Sequence, residues 1–518
     1  MILQDLLSGT IPVLVQGSLE VEITQIAYDS RMVRPGALFF ALPGTKTDGA
    51  YFLEHAYASG ARAIVAPPQI AKTWRERHPH LSQVTVIGCD SMRALLGTVA
   101  DRFYGTPSAR IALVGITGTS GKTTTTYLLE SIWQAQGYAP GVIGTVNYRY
   151  RDQELPAPFT TPEAVELQAL LADMAGDGVT HVAMEVSSHA LVQERVRGCH
   201  WDVALFTNLG RDHLDFHADL EDYFAAKSLL FVQALAESEK PHRLAVINAD
   251  DAWGRRLLSA VLPGEVVTYG LQADATVSVD VIKMDFSGLA GVLHLGKESV
   301  HFSSQLLGEP HLYNILAAAA TAYAMGTPVT AIAEGIARCA CIPGRMESIT
   351  VGQPFTVLVD YAHKPDALEK VLRSVRRMAT KRLITVFGCG GDRDRGKRPL
   401  MGEAAGRFSD VVLLTSDNPR TEDPKRILAE AEPGLALAGM NKEDDPTKIS
   451  ALSTGYLVLE DRRTAIRAAL AGAQPGDVVI IAGKGHEDYQ IIGTTKLHFD
   501  DREEVLVCLR ARDGEVSI

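Results

Sequence analysis

Cysteine is sparse in this 518-residue sequence: Cys89, Cys199, Cys339, Cys341, Cys389 and Cys508, with no Cys-x-x-Cys spacing. That excludes a disulfide framework, disfavours a thiolate zinc site and fits a reducing cytoplasm. Long apolar runs are missing. No stretch of about 18 uncharged apolar residues occurs, which excludes a membrane-spanning helix. Positive charge is in deficit, with 50 Lys+Arg against 62 Asp+Glu and a net charge of −12, so no nucleic-acid partner is expected. The segment from Met1 to Leu14 carries Asp5 and no basic residue, and no secretory signal is expected there. A small anionic ligand stays compatible, because a local basic cluster can coexist with a negative total.

What is present reads as a globular α/β protein, 46% hydrophobic and 22% charged. Two Gly/Pro-containing linkers, Gly105-Thr106-Pro107-Ser108 and Ile342-Pro343-Gly344-Arg345, divide the chain. The expected domains are 1–107, 108–343 and 344–518: a smaller N-terminal α/β domain, a central phosphate-loop domain with a mostly parallel sheet, and a Rossmann-like C-terminal domain. Short apolar runs at 110–116, 182–186, 203–206 and 244–247 suit strands buried on both faces, with helical patterns at 123–136, 162–175 and 220–236. Alternation around 275–305 predicts a small antiparallel insertion turning at Ser287-Gly288. The last segment predicts strands at 356–360, 383–387, 411–414 and 478–482, with helices at 365–378, 424–432 and 463–473. The polar stretch 435–456 reads as a solvent-exposed insertion.

The strongest motif is Gly115-Ile116-Thr117-Gly118-Thr119-Ser120-Gly121-Lys122-Thr123-Thr124, which leaves a buried strand and enters a helix. Its backbone N–H groups can surround a phosphate, Lys122 can face the β/γ-phosphates, and Thr123 offers Mg²⁺ a hydroxyl. Strict Walker spacing would put glycine at 116, where isoleucine stands. Glu185 ends another strand, where a carboxylate can hold Mg²⁺. His213, in Asn208-Leu209-Gly210-Arg211-Asp212-His213, is a candidate ligand, whereas Lys227 reads on spacing alone as a solvated helix lysine. Further polar clusters end strands at 360–365, 388–398, 416–420 and 483–487. The glycine turn before Arg393, Arg395, Lys397 and Arg398 has the basic residues an anionic ligand needs. Successive strand ends with polar clusters predict a shared site in the last domain.

Taken in order, Gly118–Thr123, Glu185-Val186-Ser187-Ser188-His189, Asn208–Asp215, Gly344-Arg345-Met346-Glu347, Asp360-Tyr361-Ala362-His363 and Asp417-Asn418-Pro419-Arg420 closely resemble the Mur ligases over nearly the whole chain. The resemblance implies an enzyme that adds the third residue to UDP-N-acetylmuramoyl-L-alanyl-D-glutamate, in the cytoplasm and as a monomer. By motif, Gly118, Thr119, Ser120, Gly121, Lys122, Thr123 and Thr124 would bind ATP, together with Asn314, Arg345 and Asp360. Ser30 would contact the uridine nucleotide, and Thr160, Thr161, Ser187, Gln193 and Arg195 the muramoyl dipeptide. Lys227 would be an N6-carboxylated lysine, reversing its bland reading, and with Thr123, Glu185 and His213 would organise Mg²⁺. Lys122, Lys227, Glu185 and His213 are therefore the catalytic set. Arg393, Asp417, Asn418, Pro419, Arg420, Gly483 and Glu487 would bind meso-diaminopimelate, whose distal carboxylate calls for a guanidinium such as Arg420.

Four alternatives are weighed against this reading. The amino acid could be L-lysine; the chain could act like a folylpolyglutamate synthetase; or it could be a non-catalytic nucleotide-binding regulator. Locally, Arg420 could merely cap or pair with Glu422-Asp423.

Overall fold

The apolar runs become strands covered on both faces, and they sort into three separate sheets. In this computed structural model, which describes residues 1–512 apart from 11, 45, 46, 261 and 273, a five-stranded sheet forms first. Its strand order is Leu14–Gln16, Thr85–Gly88, Ala63–Ala66, Ala37–Phe40 and Gln25–Ala27, all parallel except the first pair.

The central sheet has eleven strands. Its parallel core runs Glu265–Tyr269, Leu244–Asn248, Val203–Phe206, Ala112–Thr117, His181–Glu185 and Pro140–Ile143. Antiparallel strands extend it at both edges. Asn147–Tyr150 and Gln153–Pro156, unforeseen from the sequence, lie at one edge. At the other, Val277–Asp285, Gly288–Leu295 and Glu298–Ser304 form the antiparallel unit expected around 275–305. That unit is no separate insertion, because Val277 pairs with Tyr269 and continues the main sheet. Helix Gly308–Ala324 lies against it, its alanines buried among Leu293, Leu295 and Phe302.

The third sheet orders Glu347–Ser348, Thr356–Asp360, Val478–Ala482, Leu383–Cys389, Val411–Ser416 and Gly455–Val458, with a hairpin Tyr489–Ile492/Thr495–His498 beside it. Every residue of Val411–Ser416 and Val478–Ala482 is buried, as a doubly covered parallel sheet requires. The stretch 435–456 is exposed over most of its length, as its composition suggested, but it is anchored to the domain rather than looped out from it. Helix Pro424–Leu437 runs through Pro433 into it, and Gly455–Val458 pairs parallel to Val411–Leu414. Leu435, Met440, Ile449 and Tyr456 are buried, so four apolar anchors outweigh the polar residues between them.

Candidate functional site

Two glycines shape the phosphate loop. Gly118 has φ +145° and Gly121 φ +91°, conformations that a side chain strains. A Cβ at 118 would lie 1.9 Å from Thr207 Oγ1, and one at 121 would lie 2.4 Å from Asn314 Oδ1. The expected Asn314 thus sits directly against the loop. Helix Lys122–Ala135 starts here, and the Ser120 N–H donates to Asn208 Oδ1 at 3.0 Å.

Thr123 and Glu185 meet as expected. The hydroxyl donates to Glu185 Oε1 at 2.9 Å, and Thr145 donates to the same carboxylate through N–H (2.9 Å) and hydroxyl (3.0 Å). These are hard oxygen donors, the chemistry Mg²⁺ takes, so the residues present fit that ion. Arg345 Nη2 reaches Thr123 Oγ1 at 3.3 Å and its guanidinium covers the Tyr361 ring at 4.4 Å. Asp360 is spent on its own loop, accepting from Met346 and Ala362 N–H groups at 2.7 Å each. Thr124 is buried inside the first helical turn.

Lys227 is no solvated lysine: it is 1% exposed, lies 4.5 Å from the Tyr223 ring centre and donates to the Gly118 carbonyl at 3.0 Å. Burial, then the charges of Lys122 and Lys364, hold its amine well below the ordinary lysine range. Burial also brings Lys122 down to about 8. His213 packs on the same Tyr223 ring, centroids 6.0 Å apart, and its Nε2 lies 2.9 Å from Asp212. Asp212 also pairs with Lys364 from the C-terminal domain. Burial would raise this carboxyl, but Lys364 and His213 keep it well below the usual range. His189, stacked on Phe216, is lowered to about 4 by burial and by His213 and His217.

The residues assigned to the muramoyl dipeptide form one patch. Thr161 donates to the Glu185 carbonyl (2.9 Å) and accepts from the Ser187 N–H (3.1 Å). Arg195 donates to the Thr161 carbonyl (3.1 Å) and to Gln193 Oε1 (2.7 Å), while Thr160 lies 3.1 Å from Thr145 Oγ1. The patch is therefore continuous with the phosphate loop through Glu185. Ser30 is not brought to it by any hydrogen bond among the described residues. It is buried in the N-terminal domain at the start of the turn Ser30–Met32.

Across the C-terminal strand ends, Asn418 Nδ2 donates to Glu487 Oε2 (3.0 Å), and Gly391 N–H to the Asn418 carbonyl (2.9 Å). Gly483, φ +122°, donates to the Asp360 carbonyl at 3.0 Å. Burial and the neighbouring Asp417 raise the Glu487 carboxyl. The turn through Pro419 puts Arg420 in a left-handed conformation, φ +53°, with Nη1 on the Gly391 carbonyl at 2.7 Å. A Cβ on Gly390 would meet Arg420 Nη1 at 3.0 Å and Arg393 Cγ at 3.9 Å, so both arginines flank one glycine.

Arg420 does not serve Glu422-Asp423. Glu422 is taken by Arg398 at 2.8 Å, and Asp423 caps helix Pro424–Leu437. The basic run 393–398 is likewise mostly internal. Arg398 is fully buried on Glu422 and Glu430, Arg395 pairs with Glu430, and Lys397 donates to the His363 carbonyl. Arg393 and Arg395 both stay exposed, but Arg395 is engaged by Glu430, which leaves Arg393 as the one of the four bonded to nothing beyond the neighbouring Asp392 carbonyl among the described residues. Single-residue reading missed Lys364, Lys484, Tyr223 and Thr145. The first two sit in strand-end clusters visible in the sequence, whereas Tyr223 and Thr145 carry no local signal.

The fold and these strand ends define a three-domain α/β protein built round a phosphate loop. Residues 22–104 match the family model "Mur ligase family, catalytic domain", 116–322 "Mur ligase middle domain", and 344–485 "Mur ligase, glutamate ligase domain". The UDP-N-acetylmuramoyl-L-alanyl-D-glutamate–2,6-diaminopimelate ligase of Geobacter metallireducens is 48% identical, covering 98% of both chains. The protein so named from Synechococcus elongatus is 44% identical over 96% of each. A solved structure of a protein with this name aligns at 33% identity and TM-score 0.68, covering 99% of both chains. Folylpolyglutamate synthase of Mycobacterium tuberculosis shares the fold, at 18% identity and TM-score 0.58, over 75% of this chain and 92% of its own. The chain belongs to the Mur ligase family.

Proposed function

We propose that this protein is an ATP-dependent ligase that adds meso-2,6-diaminopimelate to UDP-N-acetylmuramoyl-L-alanyl-D-glutamate, in the cytoplasmic stage of peptidoglycan precursor synthesis. The names of the relatives support the reaction. The observation that carries the choice of amino acid is Arg420 beside Arg393 at Gly390, close to the backbone of Asn418, whose side chain holds Glu487. An arginine fork suits the distal carboxylate, and a carboxylate such as Glu487 suits the distal amine. The division 1–107, 108–343 and 344–518 then serves uridine nucleotide, ATP and amino acid respectively; one large sheet per segment, with a two-stranded hairpin added in the last, supports it.

A carboxylate resists attack by an amine because oxide is a poor leaving group. Transfer of the ATP γ-phosphoryl to the D-glutamate γ-carboxylate releases ADP and makes an acyl phosphate; the neutral amine attacks its carbonyl carbon, and loss of phosphate and of one amine proton leaves the amide. Lys122 offsets repulsion between the two anions, and Arg195 with Thr161 and Ser187 orients the dipeptide. Thr123 and Glu185 would hold Mg²⁺, joined by His213 and a carbamate on Lys227, and the ion would neutralise phosphate charge. The carbamate is supported by Lys227's burial beside Lys122, since only a neutral amine takes up carbon dioxide. Phosphate release is the test, with UDP-muramoyl dipeptide plus each candidate amino acid. Release dependent on meso-diaminopimelate is expected. Release indifferent to any amine would favour the regulator, and dependence on a pteridine the folate-type ligase.

A further inference from the structure

The geometry points to Lys484 as a positioning and specificity-determining residue of the amino-acid pocket, the internal cation that sets the pocket's charge. This deepens the reading above and rests on it. Lys484 follows strand Val478–Ala482 and its side chain is fully buried. Its Nζ donates to the Tyr489 carbonyl at 2.6 Å and to Asn418 Oδ1 at 3.2 Å. Two carboxylates close round it, Asp417 Oδ1 at 3.4 Å and Glu487 Oε2 at 3.5 Å. One ammonium therefore touches three separate elements: the Asp417–Arg420 turn, the 483–487 loop and the 489–498 hairpin. The turn and the hairpin are also tied by side-chain-to-backbone bonds, Ile491 N–H to Asn418 Oδ1 (2.9 Å) and Gln490 Nε2 to the Asp417 carbonyl (2.7 Å).

The charge arithmetic gives this cluster a consequence for selectivity. Asp417 and Glu487 together carry two negative charges when ionised, and Lys484 cancels one; the buried Arg462, which also acts on both, is balanced by its own partner Asp501. The remainder matches a single incoming ammonium, while Arg420 and Arg393 face the carboxylate beside it. Remove Lys484, and the pocket gains one net negative charge in a place shielded from water. It would then favour a purely cationic distal end, as in L-lysine, over the ammonium–carboxylate end of diaminopimelate.

The test is the ratio of kcat/KM for meso-diaminopimelate to that for L-lysine, measured on the full chain with ATP and UDP-muramoyl dipeptide saturating. In Lys484→Met this ratio should fall by at least about tenfold. The KM for ATP should stay within about twofold, because none of the groups Lys484 touches, Asn418, Tyr489, Asp417 and Glu487, belongs to the ATP-binding set. Lys484→Gln, which keeps a donor for the Tyr489 carbonyl, serves if the methionine variant does not fold, as judged by circular dichroism. Adding Glu487→Gln to either variant restores the charge count and should recover part of the ratio. Equal losses for both amino acids would assign Lys484 a merely structural role and overturn the proposal, as would an unchanged ratio. A wild-type enzyme inactive with both amino acids would instead refute the function proposed above.

Discussion

Lys122 and Lys227 donate to the same backbone oxygen, the Gly118 carbonyl, at 2.7 and 3.0 Å. Two ammonium groups on one acceptor would repel each other with little solvent to screen them, which favours the neutral amine at Lys227. A carbamate on Lys227 converts the repulsion into attraction. Lys227→Ala should therefore lose almost all ligase activity and regain part of it with acetate or formate. Full activity of the alanine variant, or no response to any small carboxylate, would remove the carbamate from the mechanism.

Arg420 is held by the Gly391 carbonyl and pairs with no carboxylate among the described residues, so its charge is available to a ligand. A hydrogen bond to a charged group is worth about 1.5–3 kcal/mol. Arg420→Ala should reduce selectivity for meso-diaminopimelate over L-lysine by about ten- to a hundredfold. Steady-state kinetics with both amino acids measure it, and unchanged selectivity would refute the assignment.

Lys364 joins the C-terminal domain to the central one through Asp212, and Asp366 accepts from the Arg211 N–H at 2.9 Å nearby. Breaking a buried ion pair costs about 3–5 kcal/mol, because the abandoned charge stays dehydrated. Lys364→Ala should open the cleft beside Ser120 and raise the KM for ATP. Small-angle scattering should show a larger radius of gyration than wild type under the same ligands. Superimposable curves would deny the pair any part in holding the domains together.

Asp101 is buried with Oδ1 lacking a hydrogen-bond partner among the described residues, and burial pushes its carboxyl up to about 7. Between about pH 4 and 7 the native carboxyl keeps a proton that the unfolded chain has released. Stability from this group is thus full at acid pH, falls as pH rises through that window, and levels off above it. Asp101→Asn should flatten the slope and stabilise the protein by about 1–3 kcal/mol at pH 8. Urea unfolding at pH 5 and pH 8 decides it. An unaltered difference between the two would mean another group sets the slope.

The phosphate loop, the parallel strands and the strand-end polar clusters were legible in the sequence, because each depends on a few consecutive residues. Buried strands show as apolar runs, and the Gly118 and Gly121 turns need glycine whatever surrounds them. The composition of 435–456 showed its exposure but not its anchoring, since Leu435, Met440, Ile449 and Tyr456 are scattered apolar residues that only the assembled sheet aligns.

Charge partnership was decided by tertiary structure alone. Arg393, Arg395, Lys397 and Arg398 look equivalent in sequence, yet only packing against Glu422, Glu430 and the His363 carbonyl separates three engaged cations from Arg393. Lys227 reads as a surface residue until the Gly118 carbonyl and the Tyr223 ring close over it. The physical reason is range. Backbone conformation and strand burial are local demands on the chain, whereas the state of a charged side chain depends on neighbours that folding brings from distant segments.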